Sequence, residues 1–124
     1  MHRRSLPAMV TAIILGSSGF AAGQSAIGIM AAVRNCQNPD LAPEARIEAC
    51  SQVIHTNLVS HGVLAAFYYN RGVAYEAVHD LDHARQDYDK AVELKPDFAQ
   101  AQASMARLSG QNSANATPQP VEVH

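Results

Sequence analysis

The chain of 124 residues has no tryptophan, 6% aromatic residues and only 16% charged residues. With three Phe and four Tyr, its core must be built mostly from Ala, Val, Ile and Leu. A chain this long holds one small domain. Lys and Arg are scattered singly apart from Arg3-Arg4, and the net charge is −2. No basic stripe can follow a phosphate backbone, which argues against a nucleic-acid partner. The two cysteines, Cys36 and Cys50, are not spaced C-x-x-C, so a thioredoxin-like activity has no support. No nucleophile–base set, phosphate-cradling glycine loop or paired-carboxylate site is present. The chain therefore reads as non-catalytic, with no cofactor and no metal.

The first residues are read apart from the fold. His2, Arg3 and Arg4 make a positive start, Ala8 to Leu15 is a short apolar run, and Gly16 to Gly23 is small and flexible. That is the layout of a secretory signal peptide over residues 1–23, with cleavage after Gly23 and Ala21 at the minus-three position. Cuts after Ala21 or Ala22 are close alternatives. The competing reading is an uncleaved membrane anchor, since no charge occurs between Arg4 and Arg34. Gly16 to Gly19 and Gly23 to Ser25 interrupt that span, which needs about 20 apolar residues. The export reading places the mature protein in a bacterial periplasm or outside the cell. Contact with a membrane follows only if the segment stays attached.

The elements of the mature chain then read as helices. Residues 24–64 contain an Ala-rich stretch, turn material at Asn38-Pro39-Asp40, and a helix from Pro43 to His55 whose inward face is Ile47, Cys50, Val53 and Ile54. Pro43 suits a first helical turn. Next, a helix from about Val63 or Leu64 to Val78 precedes one from Leu81 to Leu94. Asp80 is placed to cap the latter, and Pro96 closes it. A last helix covers residues 99–108. Gln100, Gln102, Ser104 and Arg107 give it a polar outer face. Residues 109–124 are rich in Ser, Asn, Pro and Gln and read as a disordered tail.

Within residues 65–98, Tyr68, Gly72 and Tyr75 are spaced 4 and 3, as are Ala84, Tyr88 and Ala91, and Pro96 follows. Small residues alternating with rings at this spacing allow two helices to pack closely. The pattern resembles the 34-residue tetratricopeptide repeat, W-x2-L-G-x2-Y, then A-x3-F, then P. Tyr68 stands for the Trp, Tyr88 for the Phe, and Arg71 for the Leu. At an offset of 38 residues, Ile47 falls on Arg85, Cys50 on Tyr88, Val53 on Ala91 and Ile54 on Val92. The preceding segment is thus read as a degenerate repeat, and the last helix as a polar cap. The expected fold is an all-α, tetratricopeptide-like solenoid of one clear repeat, one degenerate repeat and a capping helix.

The resemblance implies a protein or peptide partner lying on the first helix of the repeat, at Ala66, Tyr69, Asn70, Val73 and Glu76. The same positions read equally as ordinary surface or core. Asn70 stands where chaperone-binding relatives clamp a C-terminal carboxylate, but Gln100 and Ser104 replace the basic partners, so no clamp is expected. In an oxidising compartment Cys36 and Cys50 read as a disulfide pinning the weak N-terminal half, against two buried free thiols. Exported proteins of this kind carrying a cysteine pair ahead of the repeat agree with that. The cluster His79, Asp80, Asp82 and His83 reads as a solvated turn rather than a metal site. A homo-oligomer, in which the stack pairs with its own copy, is the alternative function.

Overall fold

The computed structural model describes residues 26–115, which form five helices and, among those residues, no strand. They are α1 (Ala26–Gln37), α2 (Pro43–His55), α3 (His61–Ala77), α4 (Leu81–Leu94) and α5 (Ala99–Asn115). The signal peptide, its cleavage point, the anchor alternative and the last nine residues of the tail lie outside the described residues. Among the described residues no helix is long and apolar enough to cross a membrane.

Local chemistry sets the boundaries. Asn38 makes the first turn: its Oδ1 accepts from the Asp40 N–H at 3.0 Å, a side chain standing in for a backbone turn. Pro43 occupies the first turn of α2, where a missing N–H costs nothing. The α3–α4 turn is closed by two backbone bonds, from the His79 N–H to the Glu76 carbonyl and from the Asp80 N–H to the Tyr75 carbonyl, both 2.9 Å. This is the left-handed helix stop in which the C′ residue usually is glycine. Here His79 holds that conformation, at φ 61°. Asp80 then caps α4, accepting from the His83 N–H at 3.3 Å. Lys95 is extended before Pro96, as the proline ring requires.

Each helix packs on its neighbour in sequence, and α1 also touches α3. The result is two stacked helical hairpins, α1–α2 and α3–α4, with α5 laid against the second. In the first hairpin the buried side chains are Ala32, Cys36, Ala49, Cys50, Val53 and Ile54, joined by Phe67 from α3. Cys36 and Cys50 are fully buried and form a disulfide with Cα atoms 4.7 Å apart. In the second, Tyr88 is fully buried and its ring lies over Gly72. A Cβ on Gly72 would stand 2.7 Å from Tyr88 Cε1 and 3.3 Å from the Ala84 carbonyl oxygen. The absence of a side chain at residue 72 is what lets the helices approach.

Three boundaries and faces differ from the sequence reading. Helix α3 begins at His61, two residues before Val63, and ends at Ala77. Ser60 is its N-cap residue, and Gly62 is tolerated in the first turn. The disordered tail does not begin at residue 109, because α5 continues to Asn115. The hydroxyls of Ser109 and Ser113 donate to the carbonyls of Met105 and Ser109, four residues back. Bonded in this way, serine is absorbed by a helix instead of breaking it. Arg85 also donates to Asn112 Oδ1 at 2.6 Å, tying the added turns to α4. Finally, Ser104 is buried with Ala101 and Leu108. The three share one face at steps of 3 and 4, so Ser104 leaves the polar outer face.

Candidate functional site on the third helix

Five residues of α3 were singled out by their register: Ala66, Tyr69, Asn70, Val73 and Glu76. All five are half-buried. Three of them face inward to α4 and α5. The Tyr69 ring packs on Tyr88 and on Phe98, with centroids 5.6 and 5.2 Å apart. Val73 joins the cluster of Ala84, Tyr88 and Leu108. Both Glu76 carboxylate oxygens accept from Arg107 Nη2 on α5, at 2.9 and 2.8 Å. That bond, offset in part by desolvation, raises the Arg107 pKa. Burial, then the Glu76 carboxylate, pushes the Tyr88 hydroxyl above its ordinary range.

Ala66 and Asn70 lie elsewhere on the helix. They share a strip with Val63, which is 48% exposed, and with exposed Ala77. The Asn70 side chain makes no hydrogen bond among the described residues. This strip can therefore offer a carboxamide, which both donates and accepts, flanked by small and aliphatic side chains. Chemically it suits the backbone or side-chain amides of a peptide. It holds no charge, and among the described residues no three His, Cys, Asp or Glu converge as metal ligands do.

The residues of the HDLDH turn have local duties. Asp80 Oδ2 and His83 Nδ1 are 2.7 Å apart, and the bond to His83 lowers the Asp80 pKa. The His83 ring stacks on Tyr75 at 4.9 Å. Asp82 pairs with Arg85 at 3.3 Å.

Sequence reasoning missed the polar link beneath the site. Arg71 donates from Nε and Nη2 to both oxygens of Asp87, each at 2.8 Å, and from Nη1 to Ser51 Oγ at 2.9 Å. Its guanidinium also lies 5.4 Å from the Tyr68 ring centre and 5.9 Å from that of Tyr75. Asp87 is 4% exposed. One side chain of α3 thus ties together α2, α3 and α4. The signal was available: Ala84, Asp87, Tyr88 and Ala91 form one helical stripe, so Asp87 had to face inward and needed a cation.

Among the described residues, two of the surface cavities stand out. One, of about 600 Å³, lies along α2 between Ile29 and Leu58. The other, of about 270 Å³, lies between α4 and α5 beside Arg85 and Met105. Neither is lined by α3.

Compared with known proteins, residues 65–98 match the family model described as tetratricopeptide repeat. No curated protein and no solved structure matches the chain.

Proposed function

We propose that this chain, which carries a tetratricopeptide repeat at residues 65–98, is a non-catalytic scaffold that binds another protein or peptide outside the cytoplasm. Such repeats generally serve as interaction modules. The observation that carries the reading here is the open strip of α3, where Asn70 presents an unused carboxamide beside Val63 and Ala66. A partner strand laid along it gains hydrogen bonds and buries aliphatic surface together. Export is supported by the layout of residues 1–23 and by a disulfide, a bond that persists in oxidising compartments.

Crosslinking capture from the native compartment tests the binding. Asn70→Ala is the clean probe, because Asn70 has no bond to lose within the described fold. Tyr69→Ala is not, since it also removes the ring between Tyr88 and Phe98. Binding unchanged in a folded Asn70→Ala variant refutes this face. Sequencing the N-terminus of the native protein tests export: an intact Met1 in the membrane fraction overturns cleavage.

A further inference from the structure

We infer that the Cys36–Cys50 disulfide is a shielded redox latch: a dithiol reaches it only when α1 lifts, and its reduction sets α1 free. Both cysteines are fully buried. They belong to one cluster with Ala32, Ala49, Val53, Ile54 and Phe67, and the Cys36 carbonyl oxygen stands 3.8 Å from Cys50 Sγ. Thiol–disulfide exchange needs a thiolate at one of the two sulfurs. In the closed fold neither can be met from solvent, so a packed element must move first.

Helix α1 is the element least held by anything else. It packs on α2 and more lightly on α3. It buries two side chains, Ala32 and Cys36, where each other helix buries at least three. Among the described residues every ion pair lies beyond residue 70, and Arg34, the one charged residue of α1, is exposed. At 12 residues, α1 is at the lower limit for even a marginal free helix in water. Once it is released, Ala49, Val53 and Ile54 of α2 and Phe67 of α3 lose their cover. The second hairpin, fastened by Tyr88 over Gly72 and by Arg71–Asp87, does not depend on sulfur. The reductant is a dithiol. Its thiolate attacks one sulfur and expels the other as thiolate, and its second thiol then displaces the first cysteine and closes the reductant's own disulfide. Two electrons and two protons pass to the chain, which is left with two thiols. Exchange with a disulfide oxidant runs the same steps backwards and shuts the latch.

Reduction by dithiothreitol, followed by mass spectrometry, tests the shield in the protein with the N-terminus it carries in its own cell. The folded chain should be reduced about a hundredfold or more slowly than the same chain in urea. Ala32→Gly, which weakens α1 without adding bulk, should speed reduction about fivefold. Ala103→Gly, at an exposed position of α5, should leave it unchanged, and circular dichroism checks that both variants are folded. Trypsin tests the release. It should cut after Arg34 in Cys36→Ala with Cys50→Ala and spare the wild type, with Arg71 and Arg85 uncut in both. Reduced wild type should show the same opening as fast hydrogen exchange confined to α1, which carries the test should the alanine variant not fold. Reduction as fast as in urea overturns the shield. Equal acceleration by the two glycine variants also overturns it, because unfolding of the whole chain is then the gate. A reduced chain with α1 still protected overturns the latch.

Discussion

The two hairpins solve one packing problem by different chemistry. Cys50 on α2 and Tyr88 on α4 lie at the 38-residue offset read from the sequence, and both are fully buried. Val53 and Ala91 match in the same way. Residues 26–55 contain no aromatic side chain apart from the imidazole of His55 at the end of α2, so no large ring can fill the gap between α1 and α2. A disulfide from Cys50 to Cys36 spans it instead, and Phe67 of α3 supplies the missing bulk from outside. The second hairpin needs no covalent link: Tyr88 fills the space above Gly72, and Arg71–Asp87 crosses the interface. Two neighbouring hairpins of one stack are thus fastened by different chemistry.

The largest effect is expected at the polar fastening inside the second hairpin. Asp87→Ala leaves the half-buried Arg71 cation without its carboxylate and should cost about 3–5 kcal/mol, read from urea unfolding. Arg71→Leu combined with Asp87→Leu should recover most of that loss, because a buried pair replaced by apolar groups is often neutral. If the single and double variants are equally destabilised, the pair is not the fastening.

Breaking the first hairpin should come next. Reducing the Cys36–Cys50 bond reopens a short loop and should cost about 3 kcal/mol in the chain-entropy model. The damage should be local. Hydrogen exchange of α1 amides should accelerate first, while α3 and α4 keep their protection. Equal loss across all five helices would show that the hairpins stand or fall together.

Much of this fold was legible because its punctuation is chemical. Pro43, Asp80 and Pro96 each fix a helix end through a missing donor, an added acceptor or a locked φ, and α2 and α4 run between them. The end of α5 was not legible. Its serines and asparagines have the composition of a tail, and only back-bonding to Met105 and Ser109 and the Arg85–Asn112 contact reveal a helix. Register located the α3 face. Which part of that face is left open depends on how α5 is rotated, with Ala101 and Leu108 inward. That rotation places Arg107 on Glu76 and Phe98 on Tyr69. Arg71 read as a departure from the repeat pattern because its partner, Asp87, is 16 residues away on another helix.

Smaller changes sharpen the contrast. Gly72→Ala places a methyl group against a buried ring and a backbone carbonyl. Overpacking costs about 1–3 kcal/mol, against a helix-propensity gain of about 1 kcal/mol. With the Tyr88 ring at 2.7 Å, the overpacking cost should fall at the upper end of its range and leave a net loss of about 2 kcal/mol. His79→Gly should act oppositely. His79 sits at φ 61°, where a Cβ costs about 1–2 kcal/mol. Part of the relief is lost to the freer unfolded chain, leaving a gain of about 0.5–1 kcal/mol in thermal or urea unfolding. A loss instead would mean that the His79 side chain makes a contact worth more than its strain.

The smallest difference concerns acid. Helix α4 is capped by Asp80, whereas Ala42 before α2 has no side chain to offer. The bond to His83 lowers the Asp80 pKa below its ordinary value. A carboxylate with a depressed folded-state pKa contributes stability that is present above its unfolded value and is lost as pH falls through the folded one. The start of α4 should therefore loosen as the pH drops below about 4, the ordinary range of aspartate, through a capping carboxylate that the start of α2 lacks. Asp80→Asn keeps an oxygen for the His83 N–H but removes the charge. It should lower stability slightly at neutral pH and flatten the acid limb of the urea midpoint. If the wild-type chain and the D80N variant lose stability in acid with the same slope, the cap works through its hydrogen bond alone, and the two hairpins do not differ in their response to acid.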